Sequence, residues 1–289
     1  MASEQSYYVP ESTRWPVIAS IALFTMVVGG VNWLHVHWSG PYILLAGSLL
    51  MTIVFFGWFG NVIQESEAGL YDAQVDRSFR WGMIWFIISE IFFFAAFFGA
   101  LFYMRYWSVP MLGGEVHPIS HLILWPDFIA TWPLFVNPDN QLFVGPAAII
   151  DTWHLPALNT LILLISGITI TWAHWALKLN KRKQLVWGLI ATVALGCLFL
   201  FFQAMEYIEA YEDLGLTMAS GAYGATFFML TGFHGLHVTM GTIMLIVITL
   251  RAMKGHFTPE DHFGFEGVAW YWHFVDVVWL FLFIFVYWL

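Results

Sequence analysis

Charged side chains are scarce in this sequence. Asp, Glu, Lys and Arg make up 10% of the 289 residues, whereas an average soluble protein has about 25%. With 60% apolar residues and a mean hydropathy of +0.73, the composition excludes an ordinary soluble domain and predicts a polytopic membrane protein. A net charge of −9 offers no basic surface, so nucleic acid is not expected as a partner.

Cysteine and targeting signals are also nearly absent. The single cysteine, Cys197, lies in an apolar run, which excludes a disulfide framework and a thiolate metal cluster. Residues 1–15 have no basic n-region, so we expect neither a cleaved signal peptide nor an Arg-rich transit peptide. The sequence has no Gly-rich phosphate loop, nucleophile motif or metalloprotease helix, and we do not expect an enzyme that acts on its own.

The first third of the chain predicts three membrane helices. No Asp, Glu, Lys or Arg occurs between Trp15 and Gln64, a run too long for one helix. A break at residues 35–41 makes it a helical hairpin, so residues 16–64 form helices 1 and 2. A charged loop, residues 65–80, leads to a third helix from residue 81.

Four more helices follow a Pro-rich loop. Residues 105–154 contain six of the eleven prolines and predict an irregular segment outside the membrane. Spans near 156–177, 185–205, 221–250 and 267–287 complete an all-α polytopic protein with seven transmembrane helices. Residues 81–289 would form a five-helix bundle. There is no internal repeat, which disfavours an inverted-repeat transporter.

The basic residues predict the direction of these helices. Seven spans place nine of the ten lysines and arginines on one side and only Arg105 on the other. By the positive-inside rule, the N-terminal segment 1–15 and the loop 65–80 are cytoplasmic, and the loop 105–154 is external.

Glu90 is the one charge-capable side chain between Arg80 and Arg105. It lies nine residues beyond Trp81, about 14 Å along the helix, where an acid costs on the order of 3 kcal/mol. One hypothesis is a proton-active carboxylate that faces other helices or a water-filled cleft. The alternative is a protonated acid that hydrogen-bonds to a neighbouring helix for packing.

Two pairs of polar side chains lie three residues apart within predicted helices. His234 and His237 share one face of helix 6, and His273 and Asp276 share one face of helix 7. We expect these four to be polar partners within the bundle, with His273 and Asp276 bridging each other, rather than metal ligands. No metal site is predicted.

Arg251 and Lys254 follow an apolar helix and lie one turn apart. This arrangement suits a lipid phosphate as well as ordinary topological anchoring, and both interpretations stay open.

Five blocks of this sequence resemble subunit III of cytochrome c oxidase. They are FIISE (86–90), ITWAH (170–174), QAMEY (203–207), GFHGLHV (232–238) and HFGFEGVAWYWHFVDVVWLF (262–281). The resemblance covers nearly all of the chain from Trp15 onward, and its last block is highly specific.

The resemblance implies seven helices, with helices 1–2 and helices 3–7 separated by a V-shaped, lipid-filled cleft. It implies a non-catalytic core subunit that carries no haem or copper, stabilises the catalytic subunit I beside subunit II, supports proton uptake and binds phospholipids. Haem a and copper are then expected in partner subunits, and cytochrome c is met through the complex. Glu90 matches a carbodiimide-reactive carboxylate, and Arg251 matches a phospholipid head-group ligand.

Two departures from the family pattern stand out. Residues 60–65 lack the basic side chains that the family has near its lipid cleft, and the loop 105–154 is longer and richer in proline than expected. That loop favours a bacterial inner membrane over the mitochondrial inner membrane. A function of another class is a proton-coupled channel or carrier that uses Glu90, His237 and Asp276 as a relay.

Overall fold

The computed structural model describes Tyr8, residues 12–116 and residues 118–289. The predicted N-terminal segment, residues 1–15, lies mostly outside the described residues. Throughout the described part the secondary structure is helical, without strands.

Seven helices are long and apolar enough to cross a membrane, so the predicted all-α polytopic fold with seven transmembrane helices is confirmed. The helices are α1 Trp15–Leu34, α2 Gly40–Glu67, α3 Ala73–Tyr103, α4 Val109–Leu112, α5 Pro118–Leu124, α6 Leu155–Lys178, α7 Arg182–Glu212, α8 Ala222–Lys254 and α9 Phe263–Leu282. Helices α4 and α5 are short, and π-helical turns follow α3 (Met104–Ser108) and α9 (Phe283–Trp288). The V-shaped cleft stays a prediction.

The third membrane helix begins earlier than the sequence predicted. Helix α3 starts at Ala73 rather than at residue 81, and only residues 68–72 separate it from α2. The carboxylate of Asp72 accepts hydrogen bonds from the backbone nitrogens of Gln74 (3.0 Å) and Val75 (2.8 Å). This is an N-cap, and it lets the helix extend beyond its apolar section through a charged first turn.

The segment predicted as a Pro-rich loop, residues 105–154, contains the end of the π-helical turn Met104–Ser108, α4 and α5, and its other described residues are irregular. Its Asn137 side chain donates to the carbonyl oxygens of Phe143 at 2.8 Å and Ser220 at 3.2 Å. These bonds attach the loop to the connection between α7 and α8.

The chain divides into two compact units, which end and begin at Phe79 and Arg80. In the first unit, α1 and α2 form a hairpin whose backbones approach closely. A Cβ atom at Gly29 would overlap the backbone nitrogen of Leu44, and one at Gly40 would overlap that of Trp33. Glycine is required at both positions because only its missing side chain allows this approach.

The second unit, residues 80–289, is built around α9, which buries twelve of its twenty residues. The two largest of these, Trp272 and Trp279, donate their indole N–H groups to Ser166 and Thr160 of α6, each at 2.9 Å. Buried indoles need such acceptors, so hydroxyl groups on α6 fix the position of α9.

Candidate functional site

The side chain of Glu90 on α3 meets that of His237 on α8. Glu90 Oε2 lies 2.8 Å from His237 Nε2, and the two side chains are 20% and 12% exposed. The rings of Phe94 and Tyr271 cover the imidazole at centroid distances of 4.9 and 6.4 Å. The sequence grouped His237 with Glu90 in the alternative of a proton relay.

The hydrogen bonds of His237 fix how many protons the pair can hold. Its Nδ1 lies 2.7 Å from the carbonyl oxygen of Phe233, which can only accept, so we place a proton on Nδ1. The short contact between Nε2 and Glu90 then needs one proton between two lone pairs. The pair is therefore either imidazolium with carboxylate or imidazole with carboxylic acid, and the two forms differ only in where that proton sits.

His234 does not join this pair, although it lies one turn before His237. Its Nε2 donates to the carbonyl oxygen of Val275 at 3.1 Å, and its ring packs against Phe199 and Trp279. Its Nδ1 is buried and accepts no hydrogen bond from a described residue. His234 thus links α8 to α9, whereas His237 links α8 to α3.

The predicted bridge between His273 and Asp276 is wrong. His273 Nε2 lies 3.2 Å from the hydroxyl of Thr171, and Asp276 Oδ1 is buried without a hydrogen-bond partner among the described residues. Both side chains leave α9 beside Gly167, because residues three apart share a helix face. Both side chains therefore point towards α6, and no hydrogen bond joins them.

Arg251 and Lys254 lie at the end of α8. The guanidinium of Arg251 stacks over the ring of Phe257 at 4.6 Å, while Lys254 is exposed. Gly255 ends the helix in a left-handed conformation with φ 83°. Arg182 donates to the carbonyl of Met253, so three cations gather at this helix end.

A second buried acid was missed by sequence reasoning. Glu206 on α7 is fully buried, and Tyr287 in the last π-helical turn donates to its Oε1 at 2.5 Å. Gln203 lies 3.4 Å from the same oxygen. The sequence placed Glu206 at the end of a span, but α7 continues to Glu212. The sequence did offer one sign of a buried polar pair, since Gln203 lies three positions before Glu206 and therefore on the same helix face.

A cluster of four charge-capable side chains was also missed. The carboxylate of Glu266 in the first turn of α9 accepts from Arg80 of α3 through Oε2. Its Oε1 faces two imidazoles: His174 Nε2 of α6 at 3.2 Å and His262 Nε2 at 3.3 Å. Three segments that are distant in sequence converge here, namely α3, α6 and the start of α9, so no local pattern could have found the whole cluster.

Comparison with known proteins gives one consistent family. A family model described as cytochrome c oxidase subunit III matches residues 5–133 and 140–289. The chain is 40% identical over 286 residues to cytochrome c oxidase subunit 3 of Oncorhynchus mykiss and 42% identical over 284 residues to that of Struthio camelus. Each alignment covers 98% of this chain and 97% of the relative.

Proposed function

Because this chain belongs to the cytochrome c oxidase subunit III family, we propose that it is a non-catalytic core subunit of a cytochrome c oxidase complex. The resemblance seen in the sequence is thereby confirmed. In this proposal the chain packs on subunit I, which holds haem a and copper, with subunit II as a neighbour. It serves the terminal step of aerobic electron transfer, and cytochrome c docks elsewhere on the complex.

The pair of Glu90 and His237 is the observation that carries a role in proton uptake. The two side chains join α3 to α8 at 2.8 Å beside the ring of Phe94 and share one proton. In this proposal the pair takes up or releases its shared proton beside the catalytic subunit.

The test replaces Glu90 by Gln in the assembled complex. Gln keeps the size and one oxygen but cannot lose a proton, so we expect a normal oxidase spectrum and most of the initial turnover. The deficit should appear as slower proton uptake at alkaline pH and faster inactivation during sustained turnover. The matched control is Glu212→Gln, an exposed acid at the end of α7, which should behave as wild type. Immediate loss of nearly all oxygen reduction in an assembled Glu90→Gln complex would assign Glu90 a direct catalytic role instead.

A proton-coupled channel or carrier would need Asp276 to continue the path from Glu90 and His237. No hydrogen bond between described residues joins Asp276 to either of them. We therefore expect the purified chain in liposomes to conduct no protons, and conduction abolished by Glu90→Gln would favour the carrier.

Phospholipid binding is the second part of the proposal. The cationic end of α8, with Arg251, Lys254 and Arg182, offers guanidinium and ammonium donors suited to a phosphate. The membrane is one that contains a respiratory chain, either a bacterial or a mitochondrial inner membrane. The family model omits only residues 134–139 of the loop, so the loop no longer favours a bacterial source.

A further inference from the structure

Glu266, His174 and His262 form a compact set of possible metal ligands. One donor atom from each lies within 4.8 Å of the other two. His262 and Glu266 are buried, at 7% and 8% exposure, and His174 is partly exposed. The three residues come from α6, the residue before α9 and the first turn of α9, so the helix ends hold the set together.

The tautomer of His262 is set by its other nitrogen. Nδ1 lies 3.0 Å from the carbonyl oxygen of Thr258, which can only accept, so Nδ1 carries the proton. The Nε2 lone pair of a neutral ring then faces Glu266 Oε1 at 3.3 Å. Two lone pairs at this distance repel unless a positive charge lies between them. Metal-binding histidines commonly show this arrangement, with the second nitrogen donating to a backbone carbonyl.

The direction of the imidazoles favours a metal over a bridging proton. Neither His174 Nε2 nor His262 Nε2 makes a hydrogen bond within the described residues, although each lies within 3.3 Å of Glu266 Oε1. A proton bridge would have the geometry of a hydrogen bond. Ligands of one cation instead point at a shared centre away from the line between them.

Two of the three ligand separations also fit a tetrahedral ion. Zinc binds His nitrogen and carboxylate oxygen at about 2.0 to 2.1 Å, so two ligands on a tetrahedron lie about 3.3 Å apart. The separations of 3.2 and 3.3 Å from Glu266 Oε1 match that edge. Two histidines and one glutamate form a common zinc ligand set, with a water molecule in the fourth position.

Arg80 contacts the carboxylate of Glu266 on the side away from the two imidazoles. It bonds the other oxygen, Oε2, and thereby leaves Oε1 to the imidazoles and fixes the plane of the carboxylate. Its charge opposes that of a dication, so the affinity should be lower than in a site without an arginine.

We propose that His174, His262 and Glu266 bind one divalent transition-metal cation of the Zn²⁺ class, with water as the fourth ligand. The sequence predicted no metal, because three residues with separations of 88 and 4 positions form no recognised motif. The proposal does not depend on the accessory function of the chain.

The experiment uses the full-length chain in lipid nanodiscs, stripped with a chelator and titrated with Zn²⁺. Wild type should bind one saturable equivalent, and the X-ray absorption spectrum should show two imidazoles and oxygen ligands at about 2.0 Å. The variants His262→Gln and Glu266→Gln should each weaken binding at least ten-fold. The control His154→Gln removes an exposed histidine before α6 and should leave binding unchanged.

Three results would overturn the site: no saturable Zn²⁺, an absorption spectrum with one imidazole or none, or equal affinity in wild type and His262→Gln. The absorption measurement needs only the wild-type chain, so it decides the matter even if a variant misfolds. Helix content by circular dichroism should be equal in all variants that are compared.

Discussion

The two units of this chain solve the same packing problem in different ways. In the first unit, α1 and α2 carry no Asp, Glu, Lys or Arg between Trp15 and Gln64, and they pack by bringing glycine against backbone. In the second unit, buried polar groups join one helix to the next. Helices in lipid gain little from apolar burial alone, so close fit and polar pairing are the two means available.

The burial of the helices follows this difference. Helix α1 buries only Ala22 and Gly29, and α2 buries only Gly40, Gly47 and Val54. Helix α9 buries twelve residues, Glu266 and Asp276 among them. A small contact surface is enough to hold two helices together where their backbones touch. Buried polar pairs instead require that a helix such as α9 be surrounded by other helices.

The largest expected effect comes from breaking the fit of the first unit. Gly29→Ala puts a methyl group onto the backbone nitrogen of Leu44, so the helices must separate, and we expect a loss of about 3 kcal/mol in unfolding free energy. The control is Gly30→Ala, one residue along, where a Cβ meets nothing within 4 Å. Denaturant titration in nanodiscs measures both. Equal stability of the two variants would show that the hairpin does not depend on this approach.

A smaller effect is expected from removing one polar pair of the second unit. Tyr287→Phe takes the hydroxyl from the buried acid Glu206 and leaves Gln203, at 3.4 Å, as its remaining partner. We expect a loss of about 2 kcal/mol, the cost of an under-satisfied buried group. Tyr211→Phe, on a half-exposed ring, should change stability by less than about 0.5 kcal/mol. If the two variants are equally stable, polar pairing is not what holds this unit.

The smallest effect should appear at the cationic end of α8. Arg251→Ala removes a charge worth about 1 kcal/mol towards an anionic head group, so retained phospholipid should fall several-fold by mass spectrometry of the purified complex. Arg251→Lys should keep part of it, since an ammonium replaces a planar fork. Exposed Lys254→Ala serves as the comparison and should lose less. Unchanged lipid in Arg251→Ala would remove this residue from the binding site.

Sequence reasoning reached the parts of the molecule that depend on local pattern. The seven helices follow from hydropathy, and the depth of Glu90 marked it as a residue that needs a partner. The early start of α3 was readable too, because Asp72 before a charged turn is an N-cap signal. The contact of Glu266 with Arg80, 186 positions away, was not, since it depends on how the helices pack. The same holds for His273 and Asp276, whose surroundings are set by α6.

The hydrogen bond from His237 Nδ1 to the carbonyl oxygen of Phe233 also limits the routes by which a proton could leave the pair of Glu90 and His237. One nitrogen of the ring is tied to the backbone of its own helix, so a proton that reaches His237 from Glu90 has no onward exit. Any proton that the pair exchanges with its surroundings would therefore have to pass through the carboxyl group of Glu90.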